Sequence, residues 1–189
     1  MTQTVQHVPQ FQVAQKLAMT ANRYRVLAAT ADGSDGALMA FAHQKRLAFK
    51  ERVTFFAEEA MVTPVFGFGA RQAIDLAAGY DVIDGAGVPL GFFRKDFGAS
   101  LLRSTFQIEG PGYAGSGTER NQAVALLRRF VELPFRFHFD FTDHAGAPLL
   151  SIERQVTLRD RYLVTVPDPR VDWRVAASVA VAVDAMMAR

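Results

Sequence analysis

The last stretch of the chain constrains the fold more than any other feature. From Trp173 to Ala188 nearly all residues are alanine, valine or methionine, and the polar exceptions are Arg174, Ser178 and Asp184. A helix that is apolar on every side has to be buried on every side. We therefore expect a helix that begins near Asp168-Pro169 or at Asp172 and forms the centre of the core.

A membrane span is the alternative for such a segment, and its length argues against one. The longest uncharged run is Val175 to Val183, whereas a span needs about 20 apolar residues. The sequence therefore predicts no transmembrane segment.

Most of the remaining chain shows the alternation of β-strands. The clearest case is Phe135 to Phe141, in which four phenylalanines share one face while Arg136, His138 and Asp140 share the other. Similar segments bounded by turn residues give about a dozen strands. Because the helix offers small side chains and the strands offer phenylalanine, close packing favours a barrel wrapped around the helix.

One further helix is predicted on the surface. Ser116 and Glu119 have the spacing of a capping box. After them, apolar residues recur with helical spacing up to Val131, and Pro134 ends the segment. Together these features predict a mainly β fold with one amphipathic surface helix and the buried C-terminal helix.

Composition sets the class of protein. The 189 residues carry a net charge of +2, so no strong field favours nucleic acid. Cysteine is absent, and residues 1–10 lack the pattern of a signal peptide. We expect a single cytoplasmic domain over residues 1–189, with residues 1–10 as a loose extension.

An internal repeat and several short motifs lead to a family resemblance. Tyr80-Asp81-Val82 with Gly87-Val88-Pro89-Leu90 is echoed by Phe139-Asp140-Phe141 with Gly146-Ala147-Pro148-Leu149, and a weaker copy combines Tyr24 to Val26 with Gly33. Nearly the whole chain resembles the LURP-one-related family of the tubby-like and phospholipid-scramblase-like group. The resemblance rests on Asn22-Arg23-Tyr24, Tyr80 to Val82 with Asp84 and Gly87, Gly91 to Lys95, Phe135 to Asp140, Arg159 to Tyr162, and Val171 to Arg174 before the apolar helix.

The resemblance implies a closed antiparallel barrel of about twelve strands around the C-terminal helix. Tubby proteins bind phosphoinositides, so the resemblance implies binding of an anionic phospholipid headgroup at the membrane surface. The lack of a recognisable catalytic constellation favours a non-enzymatic role. Scramblase-like proteins usually add a cysteine-rich segment and an acidic loop. This chain has no cysteine and only Asp168 and Asp172 in that loop, which does not match calcium coordination by six to eight oxygens.

Two motifs suggest other chemistry. Gly110 to Gly115 matches a dinucleotide fingerprint, which gives a nucleotide-binding enzyme as an alternative function. The strands on either side alternate, whereas a Rossmann strand is apolar on both faces, so a loop between strand and helix is favoured. His138, Asp140, Asp143 and His144 have metal-ligand character, but residues 142–146 are also good turn formers. We expect no metal, no cofactor and no catalytic constellation.

Basic residues provide the candidate headgroup site. They are Lys45, Arg46, Arg94, Lys95, Arg103, Arg128 and Arg129. If the barrel brings two clusters together, their charges suit a phosphate group, while the simpler interpretation is a solvated surface. Trp173 is expected to plug the barrel entrance. A structural or regulatory module that acts through protein contacts is a third hypothesis.

Overall fold

The computed structural model describes residues 5–17, 21–45, 52–71, 79–96, 105–119, 138–155 and 161–187. The strands are β1 (Gln10–Leu17), β2 (Ala21–Ala28), β3 (Leu38–Lys45), β4 (Val53–Phe56), β5 (Pro64–Ala70), β6 (Tyr80–Asp84), β7 (Pro89–Asp96), β8 (Thr105–Gly110), β9 (Tyr113–Glu119), β10 (His138–Asp143), β11 (Pro148–Gln155) and β12 (Arg161–Thr165). The described helix is α1, Trp173–Met187.

The strands form a closed antiparallel barrel in simple chain order. Each strand pairs with the next, and β12 returns to pair with β1, with Phe11 opposite Val164. Closure leaves no sheet edge exposed to a foreign strand. The predicted barrel of about twelve strands is therefore confirmed.

Helix α1 is buried inside the barrel, as its composition predicts. Residues from Val175 to Val183 are fully buried, and at 1.5 Å per residue the helix is about 22 Å long. Asp172 caps it: its carboxylate accepts the Arg174 backbone N–H at 2.9 Å, and its carbonyl accepts the Val175 N–H at 3.0 Å. Of the two starting points expected, Asp172 is the correct one.

Aromatic side chains close the barrel at the beginning of α1. The Trp173 ring meets Phe11 at 6.2 Å and Phe66 at 5.3 Å between centroids, both edge to face. The Trp173 indole N–H donates to the Gln6 side chain at 3.2 Å, which fixes the N-terminal segment to this end. Edge-to-face contacts of this kind stabilise a packed aromatic cluster.

The internal repeat corresponds to a repeated hairpin. Asp84 accepts the N–H groups of Ala86 and Val88, and Asp143 accepts those of Ala145 and Ala147 in the same way. Gly87 and Gly146, which share a φ of 85°, complete these turns. The strand before each turn also has a shift in pairing register. The shifts lie at Val82/Ile83, Phe141/Thr142 and, in the weaker copy, Val26/Leu27.

One prediction of local structure was wrong. Ser116 and Glu119 do not begin a helix, because both lie in β9, which pairs with β8 and β10. Position 117 of this strand requires glycine, because a Cβ there would lie 2.5 Å from the Phe141 ring. The remainder of the predicted surface helix, residues 120–131, falls outside the described residues, as do residues 135–137 of the phenylalanine-rich strand.

Within the described part of the chain, no helix combines the length and the apolar character that crossing a membrane requires.

Candidate functional site

Three basic side chains form a row on the outer surface of the barrel. Lys16 on β1 is directly opposite Arg23 on β2, and Arg23 is directly opposite His43 on β3. Their neighbours Gln15, Tyr24 and Ala42 are buried in the lumen, so alternation directs the row outward. Lys16 and Arg23 are exposed and His43 is half-buried. We call Lys16, Arg23 and His43 the basic row.

Within the described part of the chain, the basic row lacks the acidic partners that other cations of the barrel have. Among the described residues, no carboxylate lies within ion-pair distance of Lys16 or Arg23. By contrast, Arg25 contacts Asp35 at 3.3 Å and Glu59 at 3.0 Å. Like charges directly opposite each other on neighbouring strands are destabilising. An anion placed between Lys16 and Arg23 would relieve this repulsion.

Two further basic residues lie at positions next to the basic row in the barrel wall. Lys45 is on β3, two residues beyond His43, and its backbone is opposite Ala21 of β2. Arg52 is exposed directly before β4, the next strand of the barrel. Phosphate groups are bound by such sets of lysine and arginine through charge-assisted hydrogen bonds. This part of the surface can therefore hold a phosphate or another compact anion.

Of the predicted headgroup residues, the three that the structure describes, Lys45, Arg94 and Lys95, do not share one site. Arg94 is on the outer face of β7, where its Nε donates to Gln107 Oε1 at 2.8 Å. Lys95 has the inward position opposite Phe106, and its ammonium nitrogen is 5.9 Å from the centroid of that ring. Neighbouring residues of a strand point to opposite faces, so Arg94 and Lys95 cannot act on the same ligand. Lys45 is near the basic row, and Arg46, Arg103, Arg128 and Arg129 lie outside the described residues.

Sequence reasoning missed Lys16 and Arg23. Isolated basic residues in separate strands give no cluster along the chain, and only the pairing of β1 with β2 brings them together. The available signal was their position: both lie on the polar face of an alternating strand, seven residues apart in the sequence.

A buried polar group lies in the lumen next to the basic row. Asp184 of α1 accepts hydrogen bonds from the hydroxyl groups of Tyr24, at 2.8 Å, and Tyr162. Gln15 Nε2 donates to the Tyr24 hydroxyl oxygen at 3.2 Å. Burial raises the pKa of Tyr24 far above its ordinary value, and the charge of Asp184 raises it further. The hydroxyl therefore stays protonated and ties α1 to β2.

Three more charged residues have inward positions near the end of α1. Lys95 is opposite Phe106, Glu119 is opposite Phe139 and Arg154 is opposite Tyr162. The ring or chain opposite each of them is buried, and each of the three has a further interaction. Together with Asp184 they give this end of the lumen a polar character, in contrast to the aromatic end at Trp173.

The glycine motif does not have the geometry of a dinucleotide site. Gly110 ends β8, Pro111 and Gly112 form a tight turn with Gly112 at a φ of 77°, and Gly115 lies within β9. The fingerprint requires a helix N-terminus directly after the glycines. Strand β9 follows instead. The expected loop between a strand and a helix is therefore wrong, and the glycines lack the helix that a dinucleotide site needs.

His138 and Asp140 form a polar cluster with Ser151 on the outer face. His138 Nε2 lies 2.9 Å from Asp140 Oδ1 and 2.8 Å from Ser151 Oγ, and the serine donates to Asp140 at 3.1 Å. A catalytic triad needs the carboxylate and the serine on different ring nitrogens, and here both meet the same one. The Asp143 carboxylate accepts the Ala145 N–H and so stabilises the turn in which it lies. Among the described residues, no group of three or more side chains could hold a metal ion.

Comparisons of this chain with protein-family models, with curated proteins and with solved structures found no match.

Proposed function

We propose that this chain is a non-enzymatic binding module that attaches to an anionic phospholipid headgroup at the membrane surface through the basic row. The observation that carries the proposal is the direct opposition of Lys16 and Arg23, next to His43, without a described carboxylate partner. Juxtamembrane cations each contribute about 1 kcal/mol of attraction to an anionic leaflet.

The architecture supports an external site. Helix α1 fills the lumen with fully buried side chains from Val175 to Val183, so a ligand is expected on the outer surface. The twelve-stranded barrel around a C-terminal helix is also the architecture that the resemblance implied. Membership of the LURP-one-related family and a peripheral cytoplasmic location are therefore parts of this proposal.

Sedimentation with vesicles tests the proposal. The native chain should bind vesicles that contain phosphatidylserine or a phosphoinositide and should not bind vesicles of phosphatidylcholine alone. Combining Lys16→Gln with Arg23→Gln should weaken binding roughly 30-fold, because two cations near the surface are lost. Added salt should weaken native binding as well.

Arg94→Gln is the matched control. Arg94 is also an exposed cation, but β7 lies across the barrel from β1 in the strand order. Its loss should leave vesicle binding unchanged. An equal effect of Arg94→Gln and the double variant would overturn the assignment to the basic row, and a native chain that binds none of the anionic vesicles would overturn the function. Competition by a soluble inositol phosphate shows whether the headgroup alone is sufficient.

A further inference from the structure

The turn between β4 and β5 exposes two apolar side chains. Val62 is 75% exposed and Met61 is 43% exposed, and within the described residues the only other large hydrophobic side chain so exposed is Val88, at 44%. We call residues 57–63 the apolar turn. Side chains of this kind at a turn tip contribute nothing to the core.

Hydrogen bonds hold the apolar turn in one shape. Glu58 Oε1 accepts the backbone N–H groups of Val62 at 3.1 Å and Thr63 at 2.7 Å. The Met61 N–H donates to the Glu58 carbonyl at 3.1 Å, and the Ala57 N–H donates to Thr63 at 2.9 Å. The turn therefore presents Met61 and Val62 without further ordering.

The backbone at Met61 is strained. Its φ is 58°, and it is the only residue other than glycine with positive φ in the described part of the chain. Glycine adopts this conformation at no steric cost, whereas a side chain has to be accommodated. A strained residue with an exposed side chain points to a use for that side chain.

The apolar turn and the basic row lie on the same flank of the barrel. Glu59 of the turn contacts Arg25 of β2, with Oε1 3.0 Å from Nε. Arg25 is two residues beyond Arg23 on the same strand face, about 7 Å away. Glu59 therefore brings the turn against the outer face of β2, on the strand and the face that carry Arg23.

The two acidic residues of the turn repel an anionic membrane less strongly than free carboxylates would, because both have partners within the barrel. Glu59 lies beside Arg25, which it shares with Asp35, and the Glu58 carboxylate is turned back onto two backbone N–H donors of its own turn. Two exposed side chains are also too small an area for a stable protein interface, which buries roughly 800 Å² on each partner. A lipid layer, by contrast, accepts single apolar side chains beside cations.

We infer that the barrel docks side-on to the membrane, with Met61 and Val62 inserted among the lipid chains while the basic row holds the headgroups. This inference rests on the proposed function and adds the orientation and the apolar anchor. The partner is a lipid surface of anionic headgroups.

A site-specific fluorophore tests the insertion directly. The chain has no cysteine, so Val62→Cys accepts a single environment-sensitive dye. Its emission should shift to the blue on vesicles that contain phosphatidylserine, and lipids brominated along their chains should quench it. Ala145→Cys is the matched control, because it is exposed in the turn between β10 and β11, across the barrel from β4 and β5. A dye at Ala145 should show neither change.

Side-chain removal provides the second measurement. Met61→Gly suits the positive φ and should leave the fold intact, and combined with Val62→Ser it should weaken vesicle binding roughly 10-fold. The salt dependence should be unchanged, because the cations remain. Sedimentation of the labelled protein without a dye response at Val62, or an equal response at Ala145, would overturn the insertion and leave the headgroup proposal standing. Absence of sedimentation with any vesicle would overturn both.

Discussion

Two buried tyrosines differ in what their hydroxyl groups contact. The Tyr24 hydroxyl donates to Asp184 and accepts from Gln15. The Tyr113 hydroxyl is also buried, and no hydrogen-bond partner for it occurs among the described residues. A satisfied buried hydroxyl stabilises the fold, whereas an unsatisfied one costs its desolvation. The two positions therefore have opposite effects on stability.

Substitution with phenylalanine separates these effects. Tyr24→Phe should lower the free energy of unfolding by about 1–3 kcal/mol, because the buried Asp184 carboxylate loses a donor. Tyr113→Phe should leave it unchanged or raise it by up to about 1 kcal/mol. Urea unfolding followed by circular dichroism measures both. A larger loss at Tyr113 than at Tyr24 would contradict the assignment of the hydroxyl groups.

The same residues predict sensitivity to alkali. Burial raises the pKa of Tyr24, with a further contribution from Asp184, and burial raises the pKa of Tyr113, with contributions from Asp172 and Asp168. Both pKa values are therefore higher in the folded chain than the ordinary value of 10.0. Above about pH 10 the unfolded chain loses these protons first, so stability is intact below that pH and falls above it.

Above about pH 10, each such tyrosine lowers the free energy of unfolding by about 1.4 kcal/mol per pH unit. Unfolding measured between about pH 9 and pH 11 should show the decline, and Tyr113→Phe should make it shallower. A Tyr113→Phe variant with the native slope would show that Tyr113 ionises alike in both states.

Helix α1 provides the test at the level of secondary structure. Ala180 is fully buried in the lumen, and Ala180→Glu places a carboxylate there. Removing such a charge from water costs several kcal/mol, a large share of the roughly 5–15 kcal/mol that stabilises a domain. We expect no folded, soluble barrel, as judged by circular dichroism and size exclusion. Ala57→Glu, at an exposed position, should fold normally. A soluble Ala180→Glu variant with native thermal stability would show that the helix is not enclosed.

The strands that sequence alone identified are those with a strong contrast between their two faces. In β10, Phe139 and Phe141 are fully buried while His138 and Asp140 are half-buried, as alternation predicts. Strand β9 was missed because its inward positions include Gly115 and Gly117, which carry no hydrophobic signal. Their small size is a tertiary requirement, set by Phe141 and the backbone of Thr142.

The candidate site was harder to predict than the fold for a related reason. A surface cluster on a sheet is made across strands, and its members are set by register. Arg94 and Lys95 are adjacent in sequence but lie on opposite faces, whereas Lys16 and Arg23 are separated in sequence and directly opposite in space. Sequence spacing carries no information on register between strands until the turns are known.

At the scale of the whole molecule, the wall and the helix depend on each other. The strands direct large aromatic side chains inward, and the fully buried residues of α1 are alanine, valine and Ser178. Closure also joins β1 to β12, so the first and last strands must meet before the lumen is sealed. Contacts this distant in sequence form slowly, and the entropy lost in forming them has to be offset by the burial of a large apolar surface. Helix α1 provides much of this buried apolar surface.

Removal of α1 is therefore expected to abolish the barrel and not merely weaken it. A chain that ends at Val171 would leave inward residues such as Phe68, Phe93 and Phe106 without the helix they enclose, and apolar surface left in this way is unstable in water. We expect loss of cooperative thermal unfolding together with binding of a hydrophobic dye. A chain that ends at Met187 retains all of α1 and should unfold cooperatively. A chain that ends at Val171 and still unfolds in one sharp transition without binding the dye would show that the β-strands can close without the helix.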